Sequence, residues 1–403
     1  MAEPTSSTRD QELRDQMTDA LVDSGMIASK EVEEAFRRVP RHLFAPEVSI
    51  EKAYDGGRAL ITKRDEHGVS ISSISAPSIQ ATMLEQSRLG RGMRALEIGS
   101  GGYHAALMAE IVGPDGTITT IDIDPDIIDR AHVGLERAGY TATVKLADGE
   151  LGDPTGAPYD RIIVTVGAWD IPPAWTDQLT DDGILTVPLR MNGLTRSIAF
   201  RKQGDVLVAD SAEICGFVAM QGIGEHNEQL ILLRGREVGL RFDEGEPADP
   251  YLLTGALDGP RAEAWSGVTV GRSESFAGLQ LWLASTLAGF ATMSVDPELD
   301  TGAVAPNNRI ASPAIVAGDS FAHLAVRPAG DAGVEFGAHG YGPAGPPLAE
   351  RLAGSVARWD TEQRHGPGPA ITAYPADTPV EQMPGGFVLT KRHRRLLISW
   401  PQS

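Results

Sequence analysis

The chain has 403 residues, 41% of them hydrophobic, with 35 basic and 55 acidic side chains for a net charge of −20. That length suggests two domains, and the acidic balance argues against sequence-independent nucleic-acid binding and against anionic membranes, which need Lys and Arg to neutralise phosphate. The lone cysteine, Cys215, excludes an internal disulfide and reads as a buried structural thiol.

The N-terminal stretch MAEPTSSTRDQELRDQ is polar and lacks the apolar segment that secretion machinery recognises, so a cytoplasmic location is expected. Residues 10–40 predict helix, because Leu13, Met17, Leu21, Val32, Ala35 and Phe36 recur at helical spacing around a break at Ser24-Gly25. VPRHLFAP (39–46) ends that helix. Between Tyr54 and Pro77 the chain is rich in Gly, Ser and charge and reads as a loop, which feeds a helix from Ser78 to Leu89. From Arg94 to about Val208, short apolar strands (94–98, 117–121, 142–146, 161–166, 184–189) alternate with helices near 103–112, 125–138 and 172–179. That alternation predicts an α/β unit with a mostly parallel sheet covered on both faces. After Asp210 Gly, Pro and Ala rise, a basic KRHRR stands at 391–395, and an α+β accessory domain is expected over 211–403, following a first domain over 1–210. LQLWLASTLAGFATM (279–293) is too short to cross a bilayer and reads as a buried helix of that second domain.

The strand RALEI runs through GSGG directly into the helix YHAALMAEIVG. Glycines allow a tight turn and close backbone approach, and the helix N-terminus offers free N–H groups, so a nucleotide-type ligand is expected at the carboxyl end of this strand. Asp122, ending the next strand, suits ribose hydroxyls; Asp148, before Gly149, suits an adenine amino group. A dinucleotide fingerprint fails because its third glycine position, counted from Gly99, is His104, itself read as a surface or packing residue.

VPRHLFAP (39–46), ISAP (74–77), LEIGSGGYHAALMAEIVG (96–113), TTIDIDPD (119–126), Asp148-Gly149 and YDRIIVTVGAWDIPPAWTDQL (159–179) together resemble the protein-L-isoaspartate O-methyltransferase family over about residues 10–200. The glycine loop is one residue shorter than is usual in the family, and Ala147 stands where the family has a glycine. The resemblance implies a class I, Rossmann-like methyltransferase fold and S-adenosyl-L-methionine as cofactor, with S-adenosyl-L-homocysteine as product and no metal. It also implies cofactor contacts from Ile74, Glu97, Gly99, Ser100, Gly101, Gly102, Tyr103, Asp122, Ile123, Asp148, Gly149, Val166 and Gly167. Ser75, matching the family's serine in ISAP, is the candidate for orienting an acceptor carboxylate, with Ser72, Ser73 and Arg58 as candidate substrate contacts; capping of the following helix is the alternative use of Ser75. Lys63, Arg64 and His67 read as solvated loop groups.

The long second half resembles homologues that tailor ribosomally made peptides such as lanthipeptides and graspetides. That resemblance implies methylation of an aspartate followed by aspartimide closure, the partner being a peptide or protein presenting aspartate or isoaspartate. Repair of isoaspartate, or a non-catalytic cofactor-binding scaffold, are the alternatives.

Overall fold

The computed structural model describes residues 6–99, 101–244, 249–271, 274–330 and 333–401. The chain opens with α1 (Ser6–Asp23), α2 (Lys30–Arg38), a 3-10 turn (Arg41–Phe44) and the short α3 (Ile50–Ala53). Ser29 caps α2 by accepting from Val32 N, with Glu31 and Glu33 in the first turn and Arg37 and Arg38 in the last, an arrangement that suits the helix dipole. A hairpin follows, β1 (Leu60–Arg64) and β2 (Ser70–Ile74), then α4 (Pro77–Ser87).

The α/β run comprises β3 (Arg94–Ile98), α5 (Tyr103–Val112), β4 (Thr117–Asp122), α6 (Pro125–Ala138), β5 (Thr143–Leu146), β6 (Tyr159–Val164), α7 (Pro173–Asp177), β7 (Leu179–Met191), β8 (Leu194–Gln203) and β9 (Val206–Ile214). The start and stop of α6 are written in its ends: Asp124 caps it, Pro125 opens it with a preset φ, and Gly139 closes it at φ 75°. Strands β5, β4, β3, β6 and β7 lie side by side in parallel, so the chain reverses its direction of travel across the sheet between β3 and β6. Ligands of such sheets sit at that switch point, beyond the strands' carboxyl ends.

The rest of the chain adds β10 (Gln229–Leu233), β11 (Val238–Phe242), β12 (Ala262–Val270), α8 (Ala277–Thr286), β13 (Phe290–Val295), β14 (Ser312–Ala317), β15 (Ser320–Pro328), β16 (Val334–Tyr341), α9 (Gly345–Glu362), β17 (Ala370–Pro375), β18 (Phe387–Thr390) and β19 (Arg394–Ser399). Among the described residues, β10-β11-β13-β14-β15-β16-β12 form a second, antiparallel sheet. The last three strands return to the first sheet, extending it in the order β9-β17-β19-β18.

Three expectations change. The segment 54–77 is not all loop: β1 and β2 pair across a turn in which Asp65 Oδ1 accepts from His67 N and Val69 N and Gly68 takes φ 80°. The stretch 279–293 is not one helix. Its helix ends at Thr286 and the chain turns at Gly289, whose φ is 73° and where a Cβ would stand 2.1 Å from Val316 O, so β13 begins at Phe290. A division at residue 210 falls inside β9, and one hydrophobic core runs from Leu96 and Phe200 to Trp282, Leu352 and Leu396. The second sheet is an insertion between two parts of the first. Trp282 and Trp359 serve the core, and Trp400 packs edge-on against Trp282 at 5.2 Å. Among the described residues no helix is long and apolar enough to cross a membrane.

Candidate active site

An open cleft lies at the carboxyl ends of β3, β4 and β6. Its floor is the turn after β3. Gly99 takes φ 94°, and a Cβ there would stand 2.8 Å from Val166 and 2.9 Å from Thr165 Oγ1, so no larger residue fits between the ends of β3 and β6. Gly101 lines the cleft beneath Ile74. Gly102 serves packing instead: at φ 80° it faces Phe44 and Ala131, letting the start of α5 sit against the 3-10 turn and α6. Ser100 lies outside the described residues.

Asp122 and Ile123 line the cleft at the end of β4, where Asp122 Oδ1 also accepts from Asp124 N at 2.9 Å. Asp148, expected to contact adenine, is not among the lining residues and holds backbone with both carboxylate oxygens. Its Oδ1 accepts from Glu150 N and its Oδ2 from Ile223 N, both at 2.9 Å, so its carboxylate staples the 222–224 turn, and Gly149 lines the cleft at that corner. Val166 is in the wall, while Gly167 docks a later segment, donating to Val218 O at 2.7 Å and accepting from Met220 N at 3.0 Å. Val218, Ala219, Met220 and Gln221 thereby form a side of the cleft. Sequence reasoning missed this segment because it lies beyond the alternating strands and helices and carries no charged signal.

The opposite side is β2 and the loop after it: Ser72, Ser73, Ile74 and Ser75 all line the cleft. Ser75 does not cap α4, whose N-cap is Ala76 without a side-chain bond. The Ser75 carbonyl is held at 2.9 Å by Arg41, a fully buried guanidinium that also donates to Ala53 O and to Gln80 Oε1. Burial lowers the Arg41 pKa to about 10, still well above neutrality. VPRHLFAP is thus more than a helix stop, since it supplies this anchor and the Phe44 ring beneath Gly102. Lys63 ties the hairpin to α6 through 2.6 Å contacts with Asp124 and Asp126, and these bonds raise its pKa. Arg64 closes its own turn on Gly68 O and Ser70 Oγ, and His67 is exposed there. Arg58 is exposed and is not among the lining residues.

Polar groups in the cleft want partners. Glu97 is fully buried; Thr120 Oγ1 donates to its Oε2 at 2.5 Å, but its Oε1 has no partner among the described residues. Burial, with Asp122 nearby adding to it, pushes the Glu97 carboxyl up to about 8. His104 is buried, as a packing residue would be and a surface residue would not, but neither ring nitrogen has a partner among the described residues; burial holds it down to about 3, so it is neutral at physiological pH. The Tyr103 hydroxyl likewise has no partner among the described residues. Buried polar atoms left open in a cleft are completed by water or ligand. Acceptors, neutral imidazole nitrogens and exposed backbone at a helix N-terminus suit a polar, nucleoside-bearing ligand with an amino acid end.

The family profile described as protein-L-isoaspartate(D-aspartate) O-methyltransferase matches residues 11–224. A protein-L-isoaspartate O-methyltransferase of Ignicoccus hospitalis is 43% identical over 171 residues, covering 42% of this chain and 78% of that relative. One of Hyperthermus butylicus is 42% identical over 196 residues, covering 45% and 78%. A solved structure titled protein-L-isoaspartate O-methyltransferase aligns with TM-score 0.48 and 26% identity, over 57% of this chain and 84% of that one.

Proposed function

Because the chain belongs to the protein-L-isoaspartate(D-aspartate) O-methyltransferase family, we propose that it uses S-adenosylmethionine to esterify an isoaspartyl carboxylate in a protein or peptide. The fold is that of class I S-adenosylmethionine-dependent methyltransferases. The observation that carries the proposal is one cleft with the glycine turn and Asp122 on one side and the Ser72–Ser75 segment on the other.

When bound, the cofactor supplies a methyl group on a sulfonium. An acceptor carboxylate is ionised at neutral pH, so its oxygen forms the new C–O bond as the C–S bond breaks and the electron pair returns to sulfur. No proton has to move. The chain's task is then to bind and orient: Asp122 for the ribose hydroxyls, Glu97 and the backbone of Gly99 and Gly101 for the amino acid end, Ile123 and Gly149 around the base, and the Ser75 hydroxyl for the acceptor. Holding oxygen and methyl in line at roughly 3–3.5 Å and excluding water can supply most of the rate.

A second reading is favoured by one observation, the sequence beyond residue 224 that builds a second sheet and rejoins the first. In it, the acceptor is a genuine aspartate of a ribosomally made, constrained peptide. The next backbone nitrogen then displaces methanol to close an aspartimide, an intramolecular step favoured by proximity. The added region would recognise the peptide, since one aspartate side chain offers too little surface to be chosen among many.

Mass spectrometry of matched isoaspartyl and aspartyl peptides incubated with enzyme and cofactor separates the readings. Methylation confined to the isoaspartyl peptide supports the first; methylation of normal aspartate followed by methanol loss supports the second. Cofactor binding with turnover of neither would defeat both.

A further inference from the structure

The wall formed by 218–221 is backed by the far C-terminus of the chain. Asp148 holds Ile223 from one side. From the other, Arg392 donates to Glu150 Oε1 at 2.7 Å and to the Ile223 carbonyl at 3.3 and 3.4 Å. His393 Nε2 meets the same Glu150 oxygen at 3.0 Å, and His393 N donates to Asp170 Oδ2 at 2.5 Å. Lys391, almost wholly buried, donates to Arg190 O and Glu244 Oε1, each at 2.8 Å, and sits 4.6 Å from the centre of the Trp169 ring. Trp169 in turn stacks on His226 at 4.1 Å with a 4° interplanar angle. Three consecutive residues therefore bind all three segments that close this side of the cleft: the corner after β5, the loop after β6, and residues 223–226.

We propose that the Lys391–His393 turn is a positioning element for the methyl-donor site, setting the wall at Val218–Gln221 through Arg392 and His393. This rests on the reading that the cleft takes S-adenosylmethionine. Glu150 is 7% exposed, so its carboxylate depends on those two partners. Without them it would be buried beside the corner that carries Gly149, and both would have to shift to reach water. The family match ends at residue 224, so the brace comes from sequence beyond it. Within the basic 391–395 run, Arg392 and His393 hold the corner at Glu150, whereas Arg394 donates to Asp205 O and Thr176 Oγ1 and Arg395 to Thr378 O.

The test uses the full-length chain and S-adenosylhomocysteine as probe. In Arg392→Ala/His393→Ala, calorimetry should show affinity weakened roughly tenfold, as for loss of a charge-assisted bond. The KM for S-adenosylmethionine should rise in parallel, with kcat at saturating cofactor and KM for peptide within about twofold. Arg392→Lys should recover part of the loss. Hydrogen exchange at 218–226 should quicken while that of β15 and β16 stays unchanged, which separates a local shift from unfolding. Arg395→Ala, whose guanidinium bonds Thr378 O instead, is the control and should bind as wild type. Unchanged affinity and exchange in the double variant overturn the brace while leaving the cofactor site standing. A wild-type chain that does not bind the probe overturns the function reading and this proposal with it.

Discussion

Two aspartates at strand ends have different uses. Asp122 faces the cleft, so Asp122→Ala should weaken S-adenosylhomocysteine binding by about 1.5–3 kcal/mol, the scale of a lost charge-assisted bond; calorimetry on the folded variant giving wild-type affinity would remove it from the site. That Asp148 holds the 222–224 turn was not legible in the sequence, because its partner there, Ile223, is 75 residues away. If Ser75 orients the acceptor as proposed, Ser75→Ala should lower kcat with little change in cofactor affinity; equal turnover would deny it that role. Glu97 gives a pH signature. Its carboxyl, raised from 4.5 to about 8 by burial, holds its proton more tightly folded than unfolded, so the stability it lends to the ligand-free chain is full below about 4.5 and lost as pH rises through 8. Glu97→Gln should flatten the fall in thermal midpoint between pH 5 and pH 8; parallel curves for the two proteins would contradict the burial argument. Glu97 lay within the recognised glycine-loop motif. His104, by contrast, gave no hint that it would be buried without partners, because burial depends on what α5 packs against.

At the scale of elements, α5, α6 and the parallel strands were legible because their apolar spacing and end signals agree, as at Asp124-Pro125 and Gly139. The β1–β2 hairpin was not. Its second strand, Ser70–Ile74, has serine at three of five positions and isoleucine at the other two, and the hairpin is fixed from outside by Asp124 and Asp126 at the start of α6, which hold Lys63 of β1, and by Arg41 beneath Ser75. Arg41 makes the sharper test, since a lysine there keeps the charge and loses the fork that reaches Ala53, Gln80 and Ser75. Arg41→Lys should cost about 2 kcal/mol or more, through buried acceptors left open, and should reduce kcat more than cofactor affinity. Denaturant unfolding and steady-state kinetics would show it; a variant with wild-type stability would mean that water replaces the fork.

For the molecule as a whole, composition indicated enough sequence for two domains, and a break near 210 followed from the change in texture. What the sequence could not display is that the last thirty or so residues return to the first sheet, because strand pairing at that separation leaves no local pattern. Thr372 and Ala373 of β17 pair with Val208 and Leu207 of β9, and the core is shared. A chain ended near 210 or 224 would expose Leu207, Phe200 and their neighbours. It should therefore lack a cooperative thermal transition, whereas a stable, cofactor-binding fragment would show that the catalytic part folds alone. The central claim, carboxyl O-methylation in the cleft beyond β3, is tested most directly by the bond that is made. With methyl-labelled S-adenosylmethionine and an isoaspartyl or aspartyl peptide, the label should enter the peptide and leave as methanol under mild alkali, as a methyl ester must, and Asp122→Ala should slow its entry. Label that stays on the peptide through alkali, or that never enters it, would contradict the account.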